Sequence, residues 1–370
     1  MSTRYDYLVV GSGFAGAVIS ERLASELNKK VLLVERRPHV GGNSYDCYDD
    51  AGILVHKYGA HIFHTNHDDV WQYVNRFGQW NGYVHRVLAN VDGLKLPIPI
   101  NLTTVNTLLK KDLDEQGLRD YLASVRLNIP EIKNSRDVVL SQVGEFFYEK
   151  FFKNYTYKQW GVYPEALSPE VTKRIPLRFN TDDRYFGDKY EGLPVEGFFK
   201  LFDAILAHKN ITIVLGTDYK EIIDDIKFDY LIYTGPVDYF FDNMHGELPY
   251  RSQRFEFETL DREFYQEVAV VNYPNDHLYT KITESKHFTR QRHARTTIVR
   301  EFPEASGEPY YPVPMESAAA IYEKYKKEAD KLKTVYFAGR LAEYKYYNMD
   351  QAVKRSLDLF KTIADGKGEQ

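Results

Sequence analysis

Near its start the chain reads Tyr7-Leu-Val-Val-Gly11-Ser-Gly13-Phe-Ala-Gly16, a short apolar run followed by closely spaced glycines. A strand that is buried on both faces has this apolar character. The glycines fit G-x-G-x-x-G: Gly11 permits a tight turn, Gly13 lets the backbone approach a pyrophosphate, and Gly16 lets a helix pack on the strand. The stretch predicts a dinucleotide site rather than a turn of purely structural use.

A second apolar strand is predicted at Val31–Val34, after a segment with apolar residues at helical spacing. It ends at Glu35, about 20 residues after Gly16, where a carboxylate can accept hydrogen bonds from the ribose hydroxyls of an adenosine. Strand, turn, helix, strand and acid in this order predict the first βαβ unit of a Rossmann-like domain.

A second glycine pair follows the acid in Pro38-His-Val-Gly41-Gly42-Asn43. This pair resembles the extended fingerprint of FAD proteins of the glutathione-reductase and amine-oxidase kind, which NAD enzymes usually lack. We therefore predict FAD as the cofactor, with its pyrophosphate over the helix N-terminus at Phe14 and Ala15.

Length and composition exclude several other classes of protein. A chain of 370 residues can bury a large core and is too long for one simple domain. Its net charge of −5 argues against a general nucleic-acid binder. The one cysteine, Cys47, excludes a disulfide within the chain and suits a reducing compartment. Because neither a signal peptide nor a run of about 18 apolar residues is found, we expect a cytoplasmic protein without membrane insertion.

Histidines cluster in the segment His56-Lys-Tyr58-Gly59-Ala60-His61-Ile62-Phe63-His64-Thr-Asn-His67. A metal site is one interpretation, but no cysteine or ordered carboxylate set joins them and their spacing matches no common zinc pattern. We predict no metal. Tyr58-Gly59-Ala60 indicates a close approach of the backbone to a flat ring, and we favour His61 and Ile62 as residues that line an isoalloxazine.

The periodicity of the sequence changes along the middle of the chain. Residues 83–100 alternate about Asp92-Gly93, which predicts a hairpin. From Leu102 to about Trp160 the period is helical, and residues 252–302 return to the period of two that is typical of an antiparallel sheet.

The helical segment ends in aromatic residues mixed with hydroxyls, Phe151-Phe-Lys-Asn-Tyr155-Thr156-Tyr-Lys-Gln-Trp160. A helix that packs an aromatic stripe into a core is the simpler interpretation, but a base or a sugar stacked on a ring explains the mixture better. On the loop that follows, Arg174 could bind a diphosphate with two hydrogen bonds, although a lone arginine is more often a solvated surface charge.

Taken together, these motifs resemble those of the bacterial UDP-galactopyranose mutases over essentially the whole chain. The motifs that carry the resemblance are Tyr58-Gly-Ala-His-Ile-Phe-His64, Phe151 to Trp160, Tyr279-Thr-Lys-Ile282, Glu308-Pro-Tyr-Tyr-Pro312 and Gly339-Arg-Leu-Ala-Glu-Tyr-Lys-Tyr-Tyr-Asn-Met349. The resemblance implies an α/β fold with α+β insertions. Its expected parts are an FAD-binding Rossmann-like domain (1–82 with 192–247 and 314–370), a helical bundle (101–160), and an antiparallel sheet domain that bears the substrate (83–100 with 161–191 and 248–313, including a mobile loop near 168–180).

The resemblance also implies the interconversion of UDP-galactopyranose and UDP-galactofuranose, for the biosynthesis of cell-surface glycans. In this family reduced FAD acts as a nucleophile through N5 without net redox, and the protein supplies positioning and charge stabilisation. The implied partners are a UDP-sugar and, as reductant, NAD(P)H or a flavin reductase. The oligomeric state stays open, with a homodimer as one alternative.

Site residues follow from the same resemblance. Catalytic roles are implied for His64, Arg174, Arg251, Lys281, Tyr311 and Tyr346. Implied substrate-binding residues are His85, Phe151, Tyr155, Thr156, Trp160, Arg174, Tyr185, Phe186, Asn272, Lys281, Tyr311 and Tyr346. Implied cofactor-binding residues are Gly11, Gly13, Phe14, Ala15, Gly16, Glu35, Arg36, Gly42, Asn43, Tyr58, His61, Ile62, Asp218, Tyr219, Gly339, Arg340, Asn348, Met349, Asp350, Gln351, Ala352, Val353 and Lys354. Trp160 is expected to stack on the uracil.

Three residues depart from the family's pattern. Lys281 stands where the family has a diphosphate-binding arginine, and it keeps the charge but loses the two-pronged donor geometry. His85 stands for an asparagine and Asn348 for an aspartate. The preferred sugar nucleotide therefore stays open among UDP-galactose, UDP-N-acetylgalactosamine and dTDP-fucose. An FAD-dependent amine oxidase or dehydrogenase is the alternative from another class.

Overall fold

The structure is a computed structural model that describes residues 4–173 and 176–366. The strands are β1 (Arg4–Val10), β2 (Val31–Glu35), β3 (Asp46–Tyr48), β4 (Leu54–His56), β5 (Phe63–Thr65), β6 (Val87–Val91), β7 (Leu94–Ile98), β8 (Tyr190–Gly192), β9 (Ile211–Leu215), β10 (Lys227–Tyr233), β11 (Tyr250–Leu260), β12 (Val270–Asn272), β13 (Lys281–Glu284), β14 (Thr296–Glu304), β15 (Tyr311–Pro312) and β16 (Val335–Phe337). The α-helices are α1 (Phe14–Glu26), α2 (Asp68–Val74), α3 (Leu102–Leu109), α4 (Glu115–Val125), α5 (Ser135–Phe147), α6 (Asn154–Trp160), α7 (Glu170–Lys173), α8 (Phe198–Ile205), α9 (Tyr219–Ile222), α10 (Val237–Phe240), α11 (Lys286–Thr289), α12 (Glu316–Ala329) and α13 (Met349–Ala364).

A parallel sheet carries the N-terminal βαβ unit. Its strand order is β16-β10-β1-β2-β9, and every neighbouring pair is parallel. Central strands of such a sheet are covered on both faces, which explains why Leu8 and Val9 are fully buried. Helix α1 follows β1 and packs against α13. The α/β fold predicted from the glycine motif is confirmed.

The second large sheet is mostly antiparallel, with the strand order β15-β11-β14-β13-β12-β6-β7. Strands β11, β14, β13 and β12 pair antiparallel with one another, and β12 joins β6 in a parallel pair. The predicted hairpin is β6 and β7, and both residues of its Asp92-Gly93 turn have positive φ. This is the geometry that an Asp-Gly hairpin turn favours.

The predicted helical segment contains α3 to α6 and has well-formed helix ends. Asn134 caps α5, because its side chain accepts a hydrogen bond from the backbone N–H of Asp137. A π-helical stretch, Tyr148–Lys153, joins α5 to α6, which ends at Gly161 with φ of 75°. The arrangement brings α6 beside β14 of the mixed sheet. None of the helices in the described residues combines the length and apolar character that spanning a membrane requires.

Candidate active site

A first cavity, of about 640 Å³, lies at the carboxyl ends of the parallel strands; we call it the dinucleotide cavity. This is the edge where open α/β sheets bind their ligands. The predicted cofactor residues on its wall are Gly11, Gly13, Phe14, Ala15, Glu35, Arg36, Gly42, Asn43, His61, Asp218, Tyr219, Gly339, Arg340, Asn348, Met349 and Ala352. These residues come from widely separated segments, and the sheet brings them together.

The glycine turns form a cradle that side chains would fill. A Cβ on Gly11, whose φ is 97°, would lie 2.1 Å from Oγ1 of Thr234. One on Gly42 would lie 2.9 Å from Cα of Gly13, and one on Gly16 would lie 1.9 Å from the carbonyl oxygen of Gly11. The first turn of α1 carries no acidic side chain, so its positive end is available to an anion. The cradle fits the pyrophosphate of a dinucleotide.

Glu35 lies on the wall at the end of β2, and its carboxylate already holds the first glycine turn. Its Oε2 accepts hydrogen bonds from the backbone N–H of Ser12 at 2.9 Å and from Ser12 Oγ at 2.7 Å. Its Oε1 accepts from the backbone N–H of Arg37 at 2.9 Å. Because a carboxylate has about four acceptor positions, Oε1 can take one more hydrogen bond, for example from a ribose hydroxyl.

A second cavity, of about 810 Å³, lies among the mixed sheet, the helical segment and the start of α13; we call it the aromatic cavity. The predicted site residues on its wall are Tyr58, Ile62, His64, His85, Phe151, Tyr155, Thr156, Trp160, Tyr185, Phe186, Asn272, Lys281, Tyr311 and Tyr346. His61, Arg340, Asn348 and Met349 line both cavities. The two cavities therefore meet at the N-terminus of α13.

Trp160 forms part of a fixed aromatic wall at the end of α6. It is buried, and its ring centroid lies 5.8 Å from that of Tyr311 and 5.9 Å from that of Tyr346. Gln159 donates a hydrogen bond of 3.1 Å to the Tyr311 hydroxyl. The guanidinium of Arg340 lies over both tyrosine rings, at 5.8 and 5.1 Å from their centroids. The wall thus combines flat rings, hydroxyls and a cation, which suits a nucleotide with its phosphates.

Lys281 supplies a second cation, paired with a carboxylate that the sequence analysis missed. Its Nζ lies 3.2 Å from Oε2 of Glu301, which also accepts a hydrogen bond from Thr283 Oγ1 at Oε1. Burial alone would lower the pKa of Lys281, but Glu301 raises it above its ordinary value, so the ammonium stays charged. In the sequence Glu301 is a charged residue in a strand of alternating polar and apolar residues. Nothing in that pattern predicts that it lines the aromatic cavity.

The close backbone approach predicted at Gly59 is made to Glu301. A Cβ on Gly59, whose φ is 88°, would lie 3.1 Å from both carboxylate oxygens of Glu301. We predicted that this backbone approaches a flat ring; in the described structure the group that it approaches is this carboxylate, and the approach to a ring stays a prediction. Because Gly59 has no side chain, the carboxylate of the Lys281–Glu301 ion pair lies directly against the turn that precedes His61.

Two of the clustered histidines, His56 and His61, are joined by a hydrogen bond. The backbone N–H of His61 donates to Nδ1 of His56 at 3.0 Å, and the His61 ring contacts the carbonyl oxygen of Gly59 at 2.8 Å. Burial lowers the pKa of His61 to about 4, with Arg340 acting in the same direction, so the ring is neutral at pH 7. Within the ranges that the structure describes, no group of three or more His, Cys, Asp and Glu side chains could hold a metal ion.

Arg251 is placed away from both cavity walls. Its guanidinium donates to the backbone carbonyls of Gln159 at 3.1 Å and Lys158 at 3.3 Å, which are among the last carbonyls of α6. Free carbonyls at a helix end attract such cations. In the described structure Arg251 thus holds the helix that bears Trp160, and the catalytic role implied for it stays a prediction. Arg174 lies outside the described residues.

The predicted cofactor contacts along α13 reach the dinucleotide cavity only in part. Met349 and Ala352 are on its wall, but the other predicted residues from Asp350 to Lys354 are not. The side chains of four further predicted residues have other surroundings: Asp350 and Val353 are buried, Gln351 accepts from the backbone N–H of Asn348, and Lys354 pairs with Asp69 and Asp358. Gly16 also lies off the wall, because it packs against Gly11 and Val9, as its place in the motif predicts.

Comparison with known proteins shows the family. The family described as UDP-galactopyranose mutase matches residues 150–346, and the NAD(P)-binding Rossmann-like domain matches residues 9–77. The chain is 39% identical over 359 residues to the probable UDP-galactopyranose mutase of Klebsiella pneumoniae, covering 95% of this chain and 92% of that protein. It is 38% identical over 365 residues to the dTDP-fucopyranose mutase of Escherichia coli, covering 95% and 96%. Its fold is similar to that in a crystal structure of reduced UDP-galactopyranose mutase, with a TM-score of 0.79 at 18% identity over 98% of this chain and 94% of the other.

These relatives and the cradle of the dinucleotide cavity agree on a flavin as the cofactor. The proteins of this family are isomerases. The chain is an isomerase that belongs to the UDP-galactopyranose mutase family.

Proposed function

We propose that the chain interconverts UDP-galactopyranose and UDP-galactofuranose, with the flavin reduced and without net oxidation of the sugar. The observation that carries this proposal is the junction of the two cavities at His61, Arg340 and Met349. A cofactor held by the glycine cradle and a sugar nucleotide held by the aromatic wall can meet there. When bound, the reduced flavin supplies a nucleophilic nitrogen for the anomeric carbon of the sugar.

The nucleotide must be held while the sugar is released from it and rejoined. Trp160, Tyr155 and Phe151 offer ring faces for the base, and stacking on them would hold UDP in the cavity while its bond to the sugar breaks and re-forms. Thr156 and Asn272 add polar groups to the same wall. The protein's task is therefore to keep UDP in place during ring contraction.

The diphosphate gains negative charge when its bond to the anomeric carbon breaks, and cations must stabilise that charge. Lys281 faces the cavity, but Glu301 at 3.2 Å offsets much of its field. Arg340 is close to Tyr311 and Tyr346, whose hydroxyls can donate to phosphate oxygens. A further cation is needed, and we assign this role to Arg174, which follows α7 in the sequence and lies outside the described residues.

The test compares the two redox states of one preparation. We expect the dithionite-reduced protein to convert UDP-galactofuranose to UDP-galactopyranose, and chromatography measures the two sugar nucleotides. The air-oxidised protein is expected to be inactive. Turnover that requires the oxidised flavin and yields an oxidised sugar or amine product would replace this proposal by the oxidase alternative.

We also assign flavin reduction to NAD(P)H or a flavin reductase, which anaerobic bleaching of the flavin by NADPH would test.

A second substrate is favoured by a specific observation. The dTDP-fucopyranose mutase of Escherichia coli is nearly as similar to this chain as the mutase of Klebsiella pneumoniae, at 38% against 39% identity. The departures Lys281 and His85 both lie on the aromatic cavity's wall, where sugar and phosphates would bind. Competition among UDP-galactose, UDP-N-acetylgalactosamine and dTDP-fucose, with the reduced protein, ranks the three by kcat/KM. A ranking led by dTDP-fucose would change the proposed substrate and leave the ring contraction unchanged.

A further inference from the structure

Two side chains on the aromatic cavity's wall form a pair for which the binding roles above have no use. Nδ1 of His64 lies 2.8 Å from Oδ2 of Asp188, and the two side chains are 14% and 22% exposed. His64 belongs to β5, which pairs with β8, and Asp188 lies just before β8 in the sequence. The backbone pairing of these strands therefore fixes the distance between the two groups.

The ring of His64 is held in one orientation. It stacks on Phe186, with centroids 3.7 Å apart and planes inclined by 14°. Phe186 in turn stacks on His85, with centroids 5.8 Å apart. Asp188 is itself anchored, because its other carboxylate oxygen accepts from the side-chain amide of Asn66. The carboxylate thus orients the imidazole on a fixed aromatic base.

This orientation determines which ring nitrogen carries a proton. A carboxylate only accepts, so Nδ1 of His64 must donate to Asp188, and in the neutral ring Nε2 then has the free lone pair. Because Nδ1 is engaged, Nε2 is the nitrogen that His64 can offer to a ligand in the cavity. The other titratable groups that face His64 are Glu191 of β8, Asp350 of α13 and His85.

Ring contraction requires a proton to move between two sugar oxygens. In the pyranose the ring oxygen is O5 and O4 carries a proton; in the furanose these roles are exchanged. O5 must therefore gain a proton when its bond to C1 breaks, and O4 must lose one when its bond to C1 forms. One group that first gives a proton and then takes one is unchanged at the end, so no external acid, base or oxidant is consumed.

We propose that His64 makes this transfer through Nε2 and that Asp188 is the positioning residue that makes it possible. The imidazolium gives its Nε2 proton to O5 as the C1–O5 bond breaks, and the imidazole takes the O4 proton as the C1–O4 bond forms. Asp188 holds the Nδ1 proton throughout and stabilises the imidazolium by its charge. This assignment rests on the proposed function, because it requires a substrate whose ring oxygen changes.

The experiment uses the flavin-loaded, reduced protein and the variant Asp188→Asn. Since general acid–base catalysis contributes about 10²–10⁴-fold, we expect kcat to fall by about 100-fold or more. We expect the affinity for UDP, measured by titration of the same preparation, to stay within about twofold of wild type because the base is bound at α6. Asp183→Asn is the matched control: Asp183 lies off both walls and pairs with Arg86 at 2.8 Å, so its loss should leave kcat unchanged.

A second measurement separates positioning from mere structural support. Nitrogen-15 NMR of labelled wild-type protein, recorded as the pH is raised until the His64 ring is neutral, reports the tautomer of that ring, and we expect the Nδ1–H form. Asp188→Glu, which keeps a carboxylate, should recover part of the lost kcat, and His64→Ala with Asp188→Asn should be no slower than His64→Ala alone. An Nε2–H tautomer in wild type, or a kcat for Asp188→Asn within a few-fold of wild type, overturns the assignment.

Failure of this assignment and failure of the proposed function give different results. If wild type converts no sugar nucleotide between pyranose and furanose, the proposed function is wrong and this assignment falls with it. If wild type converts one and Asp188→Asn does so equally well, the function stands and the assignment is wrong. Should Asp188→Asn fail to fold, the wild-type tautomer and the Asp188→Glu variant still decide the question.

Discussion

The two cavities that meet at the N-terminus of α13 are built in different ways. The cradle of the dinucleotide cavity is made of backbone: glycine turns, the end of a strand and the start of a helix. The aromatic cavity is made of side chains that come from the mixed sheet, the helical segment and the loops before β8. A backbone cavity tolerates almost no added atoms at its turns, whereas a side-chain cavity can change its ligand by single substitutions. Substitutions at the glycine turns of the dinucleotide cavity should therefore abolish cofactor binding. Substitutions on the wall of the aromatic cavity should weaken ligand binding by different amounts.

The largest effect is expected for Gly11→Ala in the backbone cavity. The left-handed conformation alone costs a non-glycine residue about 1–3 kcal/mol, and the new Cβ would also lie 2.1 Å from Thr234 Oγ1. We expect protein without flavin, measured as flavin absorbance per chain. Gly93→Ala is the control, since its φ is 80° and nothing lies within 4 Å of the added Cβ. If both variants retain flavin equally, the cradle does not hold the cofactor.

Among the substitutions expected to affect the substrate, Arg174→Ala should have the largest effect. If Arg174 supplies the cation that Lys281 cannot supply because of Glu301, turnover should nearly vanish while the flavin stays bound. Steady-state kinetics and flavin absorbance of one preparation measure both. Arg254→Ala is the control, because Arg254 pairs with Glu304 at 2.9 Å and lies off both cavity walls. Turnover of Arg174→Ala within a few-fold of wild type would make Arg174 a surface residue.

The next effect tests the buried ion pair. Lys281→Met leaves the Glu301 carboxylate buried and unpaired, and removal of one partner of a buried pair costs about 3–5 kcal/mol of stability. We expect a lower unfolding midpoint and a higher KM. Lys281→Arg keeps the charge and should stay within a few-fold of wild type in kcat/KM. An arginine variant as poor as the methionine variant would show that the lysine has a role that charge does not explain.

Trp160→Ala should have a graded effect on nucleotide binding. Loss of one stacked base is worth about 1–3 kcal/mol, so the Kd for UDP should rise by about 5- to 150-fold, with flavin content unchanged. Isothermal titration with UDP measures it. Tyr157→Ala on the same helix is the control, because Tyr157 is exposed and stacks on Tyr163. An unchanged Kd for Trp160→Ala would remove this ring from the base site.

The difference between the cavities also explains what the sequence could predict. The glycine motif, Glu35 and the βαβ unit were predictable because the turn and the helix end that bind a pyrophosphate are contiguous in the chain. The hairpin at Asp92-Gly93 was predictable for the same reason, since local turn chemistry specifies it. Each such feature lies within one short segment.

Pairs between distant segments left no local signal. Glu301 on β14 lies directly opposite Lys281 on the neighbouring strand β13, and this register depends on the whole fold. Asp188 reaches His64 through the pairing of β5 with β8. Arg251 shows the reverse case: the family resemblance implied a catalytic role, but in the described structure its guanidinium is buried beside α6 and donates to the helix carbonyls. Tertiary placement, not residue type, decided all three.

The smallest effect is expected where a side chain closes the backbone cavity. Glu308 lies on the dinucleotide cavity's wall, and its Oε1 is 2.5 Å from Nη2 of Arg36 and 3.6 Å from Nη2 of Arg37. This contact joins the end of β2 to the loop after β14. Glu308→Gln removes its charge, and an exposed pair contributes only about 0.2–1 kcal/mol, so flavin release should quicken by at most about fivefold.

The rate of flavin release, followed as the rise of flavin fluorescence on dilution, measures this closure. The difference between Glu308→Gln and wild type should shrink as salt is added, because the Debye length falls to about 8 Å at physiological ionic strength. Glu304→Gln is the matched control, since Glu304 pairs with Arg254 at 2.9 Å away from the cavity wall. Equal release rates for the two variants would mean that the dinucleotide cavity is closed by its backbone alone, and the contrast between the two cavities would then hold at the mouth as well as at the cradle.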